Sequence, residues 1–85
     1  MRLTIYSKPG CHLCDQMKSL VLRVIASQSN GHGFSLDEID ISSDPELLDR
    51  YGLEIPVLVI YGKKVAKYRV SEEELTKMLE ARQGL

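Results

Sequence analysis

Tryptophan is absent from the 85 residues, and phenylalanine occurs once. An excess of one charge is also missing, since eleven Lys and Arg against twelve Asp and Glu leave a formal net charge of -1. Nucleic-acid-binding domains are usually strongly basic, so this balance argues against that class of partner. No apolar run approaches the roughly 18 residues of a membrane span. The opening Met1-Arg2-Leu3-Thr4-Ile5-Tyr6-Ser7 is too short and too interrupted by polar groups for a signal peptide. No internal repeat, low-complexity tract or linker divides the chain. Cysteine is scarce, with two residues three positions apart. With neither membrane nor export signal the expected location is cytoplasmic, where thiols are kept reduced. A close cysteine pair there points to redox chemistry or metal rather than to a structural staple.

Hydrophobic residues at 44% and charged residues at 27% describe an ordinary globular chain. Disorder would need fewer apolar residues or a larger net charge. Residues 1–85 are expected to form one domain, and a chain this short buries only about 60–65% of its unfolded surface, so the core is thin.

The elements alternate. Residues 2–7 read as a strand through Leu3, Thr4, Ile5 and Tyr6, broken by Lys8-Pro9-Gly10. From His12 to Ser27, Leu13, Met17, Leu20, Val21 and Val24 recur at offsets of 4, 3, 1 and 3, one face of an amphipathic helix. Ser29-Asn30-Gly31-His32-Gly33 ends it. Phe34 to Ile41 reads as a second strand whose apolar phase slips at Asp37-Glu38, predicting either a bulge or a charged edge strand. Ser43-Asp44-Pro45-Glu46 opens a short helix, by an Asp44 cap with Pro45 next or by a Ser43–Glu46 capping box, and the helix stops at Gly52. Val57 to Tyr61 and Val65 to Tyr68 read as an antiparallel hairpin around Tyr61-Gly62-Lys63-Lys64. Ser71 and Glu74 form a capping box for a last helix lined by Leu75, Met78 and Leu79. The order β-α-β-α-β-β-α predicts an α/β fold with a four-stranded mixed sheet flanked by three helices. Lys63, Lys64, Lys67 and Arg69 cluster within seven residues. They read as a solvated strand edge and turn, or as a docking patch for an acidic ligand.

The chemistry falls at Cys11-His12-Leu13-Cys14, the first strand-to-helix junction. A thiolate is the reactive form of cysteine, so the site must lower a thiol pKa from about 8.5. Cys11 stands at the helix start, where unpaired N–H groups and the macrodipole favour negative charge. Lys8 and His12 would add positive potential. Cys14 follows one turn later, on the same side and nearer the sheet, so the two sulfurs can meet. Cys11 at the tip would attack a substrate disulfide, and Cys14 would then resolve the mixed disulfide. Asp15 would take the Cys14 proton if it leaned beneath the cysteines.

Along its whole length the chain resembles the glutaredoxins, and most of all their short single-domain relatives of the thioredoxin-like fold. The resemblance lies in Tyr6-Ser7-Lys8-Pro9-Gly10-Cys11-His12-Leu13-Cys14, Asp40-Ile41, Asp44-Pro45-Glu46-Leu47 and Tyr51-Gly52-Leu53-Glu54-Ile55-Pro56-Val57. It implies that Pro56 is cis and faces the cysteines, leaving the Ile55 backbone free to pair with an extended substrate. It also implies glutathione as reductant, with no cofactor bound. The chain departs from the family where glutathione is held: Lys67-Tyr68-Arg69-Val70-Ser71-Glu72 has no glycine pair. There Arg69 would substitute as a carboxylate partner, or Tyr68 would fill the groove. His12-Leu13 replaces the common Pro-Tyr between the cysteines, and the tryptophan that precedes the active cysteine of thioredoxin is missing.

The expected activity is therefore a thiol–disulfide oxidoreductase acting through Cys11 and Cys14, with Lys8, His12, Ile55, Pro56 and Arg69 binding substrate. Its partners would be a disulfide-bearing protein or a glutathione mixed disulfide, with glutathione or a flavoprotein reductase as electron source. Neither nucleic acid nor membrane is expected as a partner, and nothing in the sequence demands more than a monomer. Two readings from other classes compete. Cys11, His12, Cys14 and His32 would be the ligands of a zinc site, although His32 has no second ligand about three to five residues away; an iron–sulfur cluster shared through Cys11 is the related case. A non-catalytic interaction module would keep the fold with the dithiol as a local clip.

Overall fold

The computed structural model describes residues 2–28 and 33–83. Seven elements follow one another: β1 (Arg2–Ser7), α1 (His12–Ser27), β2 (Ser35–Asp40), α2 (Pro45–Tyr51), β3 (Val57–Ile60), β4 (Lys63–Lys67) and α3 (Glu72–Gln83). The strands form one sheet in the order β2-β1-β3-β4, with β1 and β2 parallel and β3 antiparallel to both β1 and β4. Because β3 starts opposite Tyr6 and β4 ends opposite Val57, the chain ends that carry Cys11, Pro56 and Tyr68 lie at one edge of the sheet.

The period-2 alternation of the strands divides the sheet into two faces. Leu3, Ile5, Leu58 and Ile60 meet Met17, Val21 and Val24 of α1 and Leu75 and Leu79 of α3 in one buried cluster. Tyr6 points the other way, and its ring stacks on Tyr51 of α2 with centroids 4.4 Å apart. The helix α2 is the lighter cover, since it contains no buried residue.

Helix starts follow the capping chemistry. Asp44 accepts from the N–H groups of Glu46 and Leu47 at 3.0 and 3.2 Å, with Pro45 next, so the Asp44 cap rather than the Ser43 box opens α2. In the Ser71–Glu74 box the Glu74 N–H donates to Ser71 Oγ at 3.0 Å and the Ser71 N–H to Glu74 Oε1 at 3.3 Å. A Cβ at Gly52 would collide with the Leu48 carbonyl, which explains glycine at the close of α2. At the other end of α1 the Gln28 N–H reaches Ile25 O; most of the predicted stop, including His32, lies outside the described residues.

One prediction is decided between its two alternatives and another needs correction. The strand β2 runs unbroken in register against β1, Arg2 opposite Ser35 through Ser7 opposite Asp40, so the phase slip marks a charged edge strand and not a bulge. In the hairpin, β4 begins at Lys63 rather than Val65. Tyr61 and Gly62 both have positive φ, 52° and 75°, and alone connect Ile60 to Lys63. Two left-handed residues make the turn whose twist matches the strands. The irregularity falls within the hairpin instead, where the register shifts between Leu58 and Val59.

Candidate active site

Gly10, at φ 77°, turns the chain off β1 and leaves Cys11 extended as the N-cap of α1, with φ -90° and ψ 109°. The sulfur of Cys11 accepts a hydrogen bond from the backbone N–H of Cys14 at 3.1 Å. A cap residue normally offers an oxygen to this donor. Here a sulfur takes the place, so in the reduced protein the same N–H and the helix dipole would favour the Cys11 thiolate. Cys14 lies on the sheet-facing stripe with Met17, Val21 and Val24, and is 1% exposed, whereas Cys11 is half-buried. The two are joined as a disulfide with Cα atoms 5.2 Å apart.

The Ile55–Pro56 bond is cis, as the resemblance implies, and Pro56 is buried. The Pro56 carbonyl accepts from the Tyr68 N–H at 2.8 Å, while Ile55 has no hydrogen-bond partner among the described residues. Tyr68 adopts φ 66°, and its hydroxyl donates to the Leu53 carbonyl at 2.9 Å. A tyrosine thus holds a backbone conformation suited to glycine, spanning the loop that leads to Pro56.

Of the predicted substrate-binding residues, Arg69 and Lys8 line two separate openings, and His12, Ile55 and Pro56 line neither. Arg69 joins Leu13, Gln16, Tyr68 and Val70 along a groove beside α1. Lys8 lies apart from Arg69, on a second opening with Gly10, Asp15, Glu38 and Asp40. His12 is exposed and lines neither. Asp15 is exposed and sits on the rim of the second opening rather than beneath Cys14. One position on along a helix is a rotation of about 100° away from the sheet, which removes the expectation that it takes the Cys14 proton. The groove residues Gln16 and Val70 were not legible as site residues, and Leu13 was legible only as the first member of the helix stripe.

Charged side chains around the site are largely engaged. Ser7, 4% exposed, donates to Glu38 Oε2 at 3.2 Å, and Lys18 reaches Glu38 Oε1 at 3.1 Å. Glu54 receives Lys64 at 2.7 Å and Lys67 at 3.6 Å, which ties two members of the basic cluster to a local carboxylate. The Lys64 hydrogen bond holds the Glu54 carboxyl below its ordinary range. The Ser42 hydroxyl, at 2.6 Å, and its backbone N–H do the same for Asp40. Among the described residues no three His, Cys, Asp or Glu side chains gather as a metal site, and no helix is long and apolar enough to cross a membrane.

A Cys-x-x-Cys pair capping the first helix and a cis proline opening β3, on a β2-β1-β3-β4 sheet, define a thioredoxin-fold protein of the thiol-redox type. Thioredoxin 1 of Thermosipho africanus superposes over 99% of this chain and 96% of its own, with a TM-score of 0.67 at 13% identity. Residues 2–80 match the family described as Glutaredoxin-like domain (DUF836), and the chain belongs to that family. An X-ray structure of the X. campestris protein XcR50 is similar at 29% identity, with a TM-score of 0.74 over 93% of this chain and 96% of that one. A Dictyostelium discoideum protein named Glutaredoxin-like protein YDR286C homolog is 27% identical over 77 residues, 88% of this chain and 71% of that protein.

Proposed function

We propose that the protein catalyses dithiol exchange, reducing protein disulfides or glutathione mixed disulfides with Cys11 as nucleophile and Cys14 as resolving thiol. The observation that carries this reading is the asymmetry of the pair. Cys11 is accessible and its sulfur receives a helix N–H, while Cys14 is buried directly behind it.

In the reduced protein the Cys11 thiolate attacks one sulfur of the substrate disulfide. The substrate S–S bond breaks, a new bond joins Cys11 to the substrate, and the departing thiolate takes a proton from water. Cys14 then loses its proton and attacks the Cys11 sulfur. The intramolecular disulfide forms, the second substrate thiol leaves, and two electrons have passed from protein to substrate. Burial keeps Cys14 from being attacked first. The unpaired Ile55 backbone beside Pro56 offers main-chain hydrogen bonds to an extended substrate segment. Two molecules of glutathione, or a flavoprotein reductase, would return the electrons. Lys8 lies on the loop before Cys11, where its charge favours an anionic substrate, and His12 stands exposed in the first turn after it.

The test is turnover of a glutathione mixed disulfide supplied with glutathione, NADPH and glutathione reductase, with a protein disulfide and thioredoxin reductase run in parallel. Cys11→Ser is expected to abolish turnover in both, and Cys14→Ser to retain part of the first. Wild-type protein inactive in both systems, or Cys11→Ser as active as wild type, would overturn the proposal.

A further inference from the structure

The segment that leads into β3 is held by polar ties more than by burial. Leu53 is 93% exposed, so packing of its side chain does little to hold the chain there. The Leu53 carbonyl instead accepts from the Tyr68 hydroxyl at 2.9 Å, and the Glu54 N–H donates to the Tyr51 carbonyl at 2.8 Å. The Glu54 carboxylate takes Lys64 at 2.7 Å and Lys67 at 3.6 Å. Beyond Ile55, the Pro56 carbonyl accepts from the Tyr68 N–H at 2.8 Å. Both flanks of Ile55 are thus tied down, and Ile55 alone among residues 53–56 has no hydrogen-bond partner among the described residues.

Tyr68 supplies two of these ties, one on each side of Ile55. It does so from φ 66°, a backbone conformation that L side chains rarely adopt. Glycine would take the same φ at no steric cost, so what the tyrosine adds lies in its ring and hydroxyl. Such conformations persist where surrounding contacts over-determine them, and they gather at functional sites. Lys67, which itself reaches Glu54, has its Nζ 5.7 Å from the centroid of the Tyr68 ring. The end of β4 and the residue after it therefore make one bracket around Ile55.

We propose that Tyr68 is a positioning residue: by tying Leu53 and Pro56 it fixes the Ile55 backbone so that the free N–H and C=O pair with an extended substrate segment. This role rests on the dithiol-exchange reading and favours, among its substrates, disulfides carried on an extended peptide. A small disulfide without peptide groups gains nothing from the bracket. The hydroxyl tie is worth about fivefold in rate, the size of one net hydrogen bond.

Two measurements test this role on the full chain. The first uses Cys14→Ser protein and two probes that share a leaving group: a peptide whose single cysteine is joined to thionitrobenzoate, and the symmetrical disulfide of thionitrobenzoate itself. With the peptide, the Cys11 thiolate attacks the peptide sulfur, a Cys11–peptide disulfide forms, and the coloured thionitrobenzoate anion leaves with the bonding electrons. With the second probe the same anion leaves, Cys11 keeps the other thionitrobenzoate, and no peptide backbone is present. The ratio of the peptide rate constant to the other is expected to fall about fivefold when Tyr68→Phe is added. It should fall as far with Tyr68→Gly, although glycine suits the backbone. The second measurement needs no thiol chemistry: the order parameter of the Ile55 N–H in oxidised protein, from nitrogen relaxation. It is expected near the rigid value of about 0.85 in wild type and lower, toward about 0.6, in Tyr68→Phe. A lowered ratio together with a loosened Ile55 would establish the positioning role. An unchanged ratio, whether both rates hold or both fall together, would overturn it and leave the exchange reaction standing. A lowered ratio with Ile55 still rigid would make Tyr68 a direct substrate contact and overturn the positioning role as well. No release from either probe would sink the exchange reading and, with it, any part for Tyr68 in that reaction; the Ile55 order parameter would then decide whether the tether exists at all.

Discussion

Glu54 is the residue at which charge and loop position meet. It sits two residues before Pro56 and binds both Lys64 and Lys67 of β4. Its carboxyl is held below the ordinary range chiefly by the Lys64 hydrogen bond. A group whose folded pKa is depressed contributes stability that is present above its unfolded pKa and lost as pH falls through the folded value. Wild-type stability is therefore expected to decline on acidification below the ordinary glutamate range. Glu54→Gln should flatten that part of the profile and leave the neutral-to-alkaline part unchanged in slope. Urea midpoints measured across the acid range would check this, and identical acid slopes in the two proteins would refute it. Because the pair is exposed the effect is small, and it shrinks further in salt. Tyr68 is the second residue of consequence. The sequence shows only that residues 67–72 hold no glycine, whereas the backbone places Tyr68 in the left-handed region that favours glycine.

Among the elements, α2 depends most on its cap. It has seven residues and buries no side chain, so the Asp44 bonds to Glu46 and Leu47 are a large share of what holds it. Asp44→Ala is expected to cost about 1 kcal/mol of helix stability. In hydrogen exchange the amides of α2 should lose protection while those of β1 and β3 keep theirs. Uniform loss across the sheet would contradict the independence of α2. Most elements were legible because each carries a local signal: α1 through its apolar stripe and α3 through its capping box. The start of β4 was not legible, because Lys63 and Lys64 sit on an exposed edge strand and look like turn residues until the two-residue turn at Tyr61 and Gly62 is seen. The cysteines were legible for the same local reason as α1. The groove was not, since Leu13 and Arg69 lie 56 positions apart in the sequence and meet only when α1 and the β4–α3 connection pack side by side.

At the scale of the whole molecule, stability rests on one thin cluster between the sheet and the pair α1 and α3. Leu58 lies at its centre and is fully buried. Leu58→Ala is expected to cost about 2–5 kcal/mol, and for a domain of this size that lowers the melting temperature by roughly 8–40 °C. A far-UV circular dichroism melt would check it, and a shift of only a degree or two would show that the cluster is less central than its packing implies. The other face has its own witness. With no tryptophan in the chain, the four tyrosines dominate the near-ultraviolet spectrum, and two of them, Tyr6 and Tyr51, lie stacked between the sheet and α2. Fixed aromatic packing is what gives a protein its near-ultraviolet dichroism. The molecule therefore carries an optical gauge of whether α2 is seated, readable without a label and separable from the far-ultraviolet signal of the core.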